Sequence, residues 1–131
     1  MTWPNLQHFS KSEFDHPERM QTDILLLLEA IRVRSGCRIK VTSDYRTKDE
    51  HELIYPDPAT RPNSPHQRGT AVDFKPVPFN VSNRLLVLEA ITGLYKEGKC
   101  PSIGLEIADR HFHIDLDYIL TRPLIWLGKS K

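Results

Sequence analysis

The sequence predicts an α+β domain in which helices flank a small, mainly antiparallel sheet. The chain has 131 residues with 39% hydrophobic and 27% charged content, which fits a single globular domain, 1–131, with its own core. Apolar residues recur at helical spacing in two segments, and short alternating segments follow each of them. The order is a helix-rich beginning followed by strands with helices inserted, which is typical of α+β folds.

Two helices are predicted near the beginning of the chain. Ser10 and Glu13 have the spacing of a capping box and indicate a short helix. Thr22 has the position of an N-cap for a longer helix, because the apolar residues after it recur every three or four positions. Gly36 suits the end of that helix.

The middle of the chain contains two further predicted helices and a loop. Thr47 can cap a polar helix within residues 46–54, and Ser82 begins a helix that Gly98 ends. The proline-rich segment 55–65 cannot form regular structure and is predicted to be a loop. Such loops often carry sites, and 49–63 is the segment that we expect to wall a cleft.

Alternating residues predict four short strands. They lie at residues 37–43, 70–74, 102–107 and 110–116. The tail, 118–131, carries apolar residues that we expect to dock on the domain.

Composition argues against several classes of partner. The net charge of +1 provides no basic field for nucleic acid or for an anionic membrane. The longest apolar run, 24–28, is too short for membrane insertion, and the first residues show no signal peptide. Cys37 and Cys100 form no metal or disulfide pattern. We expect a monomer that binds neither nucleic acid nor membrane.

The segment "RHFHIDL" places several metal-binding side chains together. In a strand, His111, His113 and Asp115 share one face, while the apolar residues between them face the core. The alternative interpretation is a solvated strand face that is rich in histidine by chance.

A carboxylate in the segment "SPHQRGTAVD" requires a positive partner. Asp73 lies in an apolar strand, where an unpaired charge is costly. His66 precedes it, and Gly69 lets the chain reverse so that both side chains can address one point. These two residues and one imidazole of the later strand would form a three-ligand site with water in the fourth position, which is typical of catalytic zinc. The alternative partner is Arg46 or Arg68, in a salt bridge.

The same segment resembles a known family. "SPHQRGTAVD" matches the Ser-x-His-x-x-Gly-x-Ala-x-Asp signature of the D-alanyl-D-alanine metallopeptidases, whose zinc-site fold is shared with the hedgehog domain and with lysostaphin-like enzymes. "HFHID" is similar to the later His-x-His element, and "HFSKSEF" to the opening of one branch. "TSDYRT" resembles "TSGYR", with Asp44 where glycine is usual. The resemblance runs from about His8 to Asp115.

The resemblance implies a ligand set and a substrate. One zinc ion would be held by His66, Asp73 and His113, the second histidine of its element. Arg46 would bind the carboxylate of a peptidoglycan stem peptide, and Ser64 would fix the loop or contact substrate. The implied activity is zinc-dependent hydrolysis of stem peptides or cross-links, by an endopeptidase or a D,D-carboxypeptidase.

The general base is where this chain departs from the family pattern. Several members have glutamate where this chain has Arg110, three positions before the last histidine ligand. The candidates here are Asp109, which we favour for its closeness in sequence, and Glu106. His111 is predicted to stabilise the oxyanion or to transfer protons, and Asp115 to orient a ligand histidine.

The expected substrate lies outside the cytoplasmic membrane, whereas no export signal is visible. A bacteriophage lytic enzyme, released through a membrane lesion or carried in the virion, would reconcile these two facts. A periplasmic bacterial enzyme expressed without its leader is the second expectation. The competing class is a non-catalytic zinc-stabilised domain that binds cell wall or belongs to a virion.

Overall fold

The computed structural model describes residues 3–130, which form an open five-stranded sheet and three helices. The helices are α1 (Thr22–Ser35), α2 (Lys48–Ile54) and α3 (Val81–Lys96). The strands are β1 (Arg38–Ser43), β2 (Ala71–Val77), β3 (Gly104–Ile107), β4 (Phe112–Asp115) and β5 (Leu124–Leu127). Short 3-10 helices span Lys11–Glu13, Pro17–Arg19 and Pro65–Arg68. The predicted α+β class is confirmed by this set of helices and strands.

The strand order is β1-β2-β4-β3-β5, and every neighbouring pair except the last is antiparallel. The mainly antiparallel sheet is therefore confirmed. The exception is β5, which comes from the predicted docking tail and adds to β3 in parallel. Its four residues, Leu124–Leu127, show no polar alternation, so periodicity gave no signal for a strand there.

The two faces of the sheet differ in chemistry. On one face, Phe74 and Phe112 stack with ring centroids 5.7 Å apart and are fully buried. Burying each such ring contributes about 1.5–3 kcal/mol. Around them lie apolar side chains from α1, α3 and the sheet, such as Ile24, Leu28, Ile31, Val87, Ile91 and Ile114. The opposite face is left for polar side chains.

Helix ends follow the predicted chemistry with small shifts. Thr47 is the N-cap of α2, as predicted, and it forms a capping box with Glu50. Gly36 ends α1 in the left-handed conformation with φ 71°. Thr22 is the first residue of α1, not its N-cap, because Gln21 takes the extended conformation before it. Helix α3 begins before Ser82, since the side chain of Asn80 accepts the hydrogen bond that caps it.

Two further findings concern the cysteines and the length of the helices. Cys37 and Cys100 are buried free thiols. Within residues 3–130, no helix combines the length and the apolarity that crossing a bilayer requires.

Candidate metal centre

Three side chains from distant parts of the chain converge on one point of the polar face. Asp73 Oδ1 lies 3.1 Å from His66 Nε2 and 2.9 Å from His113 Nδ1. The three ligand atoms all lie within 4.8 Å of one another. Ligands of a tetrahedral ion with bonds of about 2.0–2.1 Å are separated by about 3.3 Å, so the group has suitable dimensions for a metal ion.

His66 is positioned by a tight 3-10 turn. Ser64 Oγ accepts a hydrogen bond from the backbone N–H of His66, and Pro65 occupies the first position of the turn. Gly69 ends the turn with φ 70°, as the predicted chain reversal requires. A methyl group at Gly69 would also collide with the backbone carbonyl of Arg19. This position therefore excludes other residues both by conformation and by space.

Asp73 and His113 are brought together by strand register. They are directly opposite each other in the antiparallel β2–β4 pair, where side chains on one face are neighbours. Glu106 of β3 is opposite His113 on its other side. Three adjacent strands thus align Asp73, His113 and Glu106 across the polar face.

The outward nitrogen of each imidazole already has an acceptor. His66 Nδ1–H donates to the backbone carbonyl of Asp44 at 2.7 Å, and His113 Nε2–H donates to Asp115 Oδ2 at 2.7 Å. With these tautomers, the nitrogens that face Asp73 present lone pairs unless they take a second proton. Two imidazole lone pairs and one carboxylate form a donor set that fits a metal ion, and Asp115 makes the contact that its predicted orienting role would need.

A buried arginine in turn holds Asp115. Arg122 donates to both carboxylate oxygens of Asp115, at 2.6 and 2.7 Å. Gly104 on β3 leaves room for this pair, because a Cβ there would lie 2.5 Å from Asp115 Oδ2. Sequence analysis did not identify Arg122, since it follows β4 in an irregular segment without a local motif.

The electrostatics of the group favour a cation between its members. Burial alone would raise the pKa of the Asp73 carboxyl, but the adjacent imidazoles of His66 and His113 outweigh it and hold that pKa well below its usual range. For His113, burial would lower the pKa, yet hydrogen bonds to Asp115 and Asp73 raise it to about 9. The site therefore attracts either protons or a metal ion at neutral pH.

The arginine alternative for Asp73 does not occur. Arg68 instead forms a two-point ion pair with buried Asp117, at 2.8 and 3.0 Å. The side chain of Arg46 lies 3.4–3.5 Å from His51 and Ser43. Among residues 3–130, no arginine comes within ion-pair distance of the Asp73 carboxylate.

The group opens into a cleft of about 650 Å³. The predicted site residues that line this cleft are Arg46, Ser64, His66, Asp73, Glu106, His111 and His113. Four residues of the predicted wall segment, Ile54, Tyr55, Pro62 and Asn63, line it as well. The cleft also has cationic walls that sequence analysis did not single out, which come from Lys75, Arg110 and Lys129.

Asp109 is the predicted site residue that the structure places elsewhere. It does not line the cleft, and its exposed carboxylate accepts a hydrogen bond from the backbone N–H of Ser130 at 2.6 Å. The turn between β3 and β4 points this side chain towards the tail. Closeness in sequence to His113 was a poor guide, because the turn reverses direction before β4 begins.

Glu106, the other candidate base, faces the cleft. Its Oε1 lies 3.5 Å from His111 Nε2. Its carboxylate also packs closely against Gly128, where a Cβ would lie 1.9 Å from Oε2. A hydrogen bond from His111, stronger than the opposing effect of burial, lowers the pKa of Glu106. Glu106 is therefore ionised at neutral pH and can accept a proton.

His111 lies at the edge of the same group. Its Nδ1 is 2.7 Å from Ser130 Oγ, and its Nε2 is 3.8 Å from Asp73 Oδ2. The hydrogen bond to Glu106 raises the pKa of His111 against the effect of burial. Both candidate proton-transfer residues, Glu106 and His111, thus lie beside the three ligand atoms.

Comparison of the chain with protein-family models, with curated proteins and with solved structures gave no match in any of the three.

Proposed function

We propose that the protein is a zinc-dependent peptidase that hydrolyses peptide bonds of bacterial peptidoglycan. The observation that carries the proposal is the convergence of His66, Asp73 and His113 on a cleft that also contains an ionised carboxylate, Glu106. Their spacing in sequence matches the metallopeptidase signature, and a related zinc-site fold of the hedgehog and lysostaphin type is part of the proposal.

Zinc is the metal proposed, because a mixed set of imidazole and carboxylate donors with an open position is typical of its catalytic sites. When bound, zinc would supply Lewis acidity, which polarises the scissile carbonyl and makes a water molecule more acidic. His66, Asp73 and His113 would hold it.

The other residues act by position. Glu106 accepts the proton of the attacking water and passes it to the leaving amine, since it is the acidic side chain of the cleft wall opposite a ligand. His111, beside Glu106, stabilises the developing oxyanion. Arg46 binds a substrate carboxylate with its planar fork, and Ser64 keeps the His66 turn in place.

The substrate is proposed to be a stem peptide or cross-link, cut by an endopeptidase or a D,D-carboxypeptidase activity. A lytic enzyme of the bacteriophage type, acting outside the cytoplasmic membrane after release or from the virion, is the biological setting that we propose.

Digestion of purified cell wall tests the proposal. We expect release of free amino groups by the zinc-loaded protein, loss of release on chelation, and recovery when zinc is restored. Binding to cell wall without release of amino groups, at full zinc content, would contradict the peptidase and favour the non-catalytic wall-binding domain.

A further inference from the structure

The geometry points to a second anion-binding subsite in the cleft, formed by Lys75, Arg110 and Lys129. We infer that it takes a carboxylate in the part of the peptide that lies on the acyl side of the scissile bond. The inference deepens the proposed function and rests on it for the identity of the ligand as a peptide.

Strand register places this subsite and Arg46 on opposite sides of the candidate metal ligands His66, Asp73 and His113. In β2, Lys75 follows Asp73 by two positions on the same face. Arg46 follows Ser43, the partner of Asp73, in a strand that runs antiparallel to β2, so it lies towards the start of β2. Its backbone N–H donates to the carbonyl of His66, which fixes it at that end.

Arg110 and Lys129 lie at the same end of the cleft as Lys75, which we call the Lys75 end. Phe112 is paired with Phe74, so the residues just before β4 lie beside the later part of β2. The backbone N–H of Arg110 donates to Ser130 Oγ at 3.0 Å, which brings Lys129 next to it. All three cations line the same cleft as the metal group.

These cations lack the acidic partners that a structural role would provide. Within residues 3–130, Lys75 and Lys129 make no ion pair, and Arg110 has only the exposed Asp109, at 3.7 Å. Lys75 is also half-buried and directly opposite Lys40 in the β1–β2 ladder. Like charges placed opposite each other destabilise a sheet, so this arrangement has a cost that an anionic ligand would offset.

The acidic residues of the cleft cannot supply that partner. The carboxylates that line it are Asp73 and Glu106, and both already contact histidines. Arg122 differs from the three cations because Asp115 neutralises it. The remaining positive charge at the Lys75 end therefore faces the space through which a bound peptide would extend.

Arg46 and the subsite together select a peptide with a negative group on each side of the metal. Arg46 would take the carboxylate on the leaving-group side, and the Lys75 end would take one on the acyl side. A peptide with a neutral acyl half would leave Lys75 and Lys129 without an anionic partner and Arg110 with only the exposed Asp109.

Two peptides that differ in a single group test the inference. Both end in a free carboxylate, and one has glutamate where the other has glutamine on the acyl side of the scissile bond. For the zinc-loaded wild type we expect a KM roughly ten-fold lower for the glutamate peptide, with similar kcat, as a few charge-assisted contacts would give. Dissociation constants from titration calorimetry should differ in the same sense.

A triple variant with Lys75→Gln, Arg110→Gln and Lys129→Gln should bind both peptides equally, with unchanged zinc content. The matched control removes three positive charges from exposed positions outside the cleft, with Lys11→Gln, Lys96→Gln and Lys99→Gln. It should keep the wild-type preference.

The results separate the two proposals. Equal KM and equal affinity of wild type for both peptides would overturn the subsite and leave the peptidase standing. A binding preference that is lost in the triple variant, with neither peptide cleaved by zinc-loaded wild type, would support the subsite and overturn the peptidase. A preference that survives in the triple variant would overturn the assignment to these residues.

Discussion

At the scale of single residues, the orientation of His113 depends on Asp115, a side chain outside the group of three candidate donors. Asp115 accepts the outward N–H of His113 and is itself held by Arg122 at 2.6–2.7 Å. Because Asp115 occupies Nε2, Nδ1 is the nitrogen directed at Asp73, where a proton or a metal ion would bind.

Asp115→Asn tests this orientation. We expect zinc affinity to fall by about 10- to 100-fold, because the amide is a weaker acceptor and leaves Arg122 with an incomplete partner. Competition with a chromophoric chelator measures the affinity. Glu106→Gln is the control and should retain wild-type affinity, and an equal loss in both variants would contradict the specific role of Asp115.

The two candidate bases are separated by a pair of variants. Glu106→Gln should lower kcat by about 10²–10⁴-fold without loss of zinc, since it removes a proton acceptor in the cleft. Asp109→Asn should keep near wild-type kcat, because Asp109 is exposed and bonded to the backbone of Ser130. Turnover of muropeptide followed by mass spectrometry gives both values. Loss of turnover in Asp109→Asn alone would restore the assignment made from sequence.

At the scale of elements, Gly36 and Gly69 have the same left-handed conformation but different surroundings. Gly36 ends α1 with φ 71° and would meet nothing within 4 Å if it had a side chain. Gly69 ends the His66 turn with φ 70° and would collide with the carbonyl of Arg19. Of these two glycines, Gly69 is therefore the one whose conformation sets the position of His66.

Gly36→Ala and Gly69→Ala form a matched comparison. Gly36→Ala should lower the free energy of unfolding by about 1–2 kcal/mol, the cost of a left-handed residue with a Cβ, and leave zinc affinity unchanged. Gly69→Ala should lower it further and weaken zinc binding, because the turn must move. Urea unfolding and chelator competition measure the two quantities, and equal effects of both substitutions would contradict the account.

Much of the element pattern could be predicted from local signals. Alternation placed β1, β2, β3 and β4, and the signature segment brought His66 and Asp73 together, because these features are encoded in a few consecutive residues. β5, Arg122 and the place of Asp109 could not be predicted, since each depends on contacts between segments that no periodicity records. The peptidase activity and the identity of zinc stay predictions.

At the scale of the whole molecule, the protonation state of His113 affects the stability of the fold. Burial lowers the pKa of His113, but its contacts with Asp115 and Asp73 raise it to about 9 in the metal-free protein. A raised pKa stabilises the fold fully below the unfolded value of about 6.5, and this contribution is lost as pH rises through about 9. A metal ion bound at Nδ1 would replace the proton and would remove that dependence.

Zinc should therefore stabilise the protein more as pH rises. We expect the difference in Tm between zinc-loaded and chelated protein to widen from pH 7 to pH 9, and zinc binding at pH 7 to release a proton from His113. Scanning calorimetry gives the first result, and titration calorimetry in buffers of different ionisation enthalpy gives the second. A narrowing difference, or uptake of protons, would contradict the assignment of His113 as a ligand.

Strand β5 supplies part of the cleft from the last segment of the described chain. Synthesis runs from the amino end, so His66, Asp73 and His113 all leave the ribosome before Arg122 and Trp126. When these three residues have been made, Arg122, which binds Asp115, and Trp126, which lines the cleft, are not yet part of the chain. A chain that stops before residue 122 would therefore have all three candidate donor side chains but not the complete cleft.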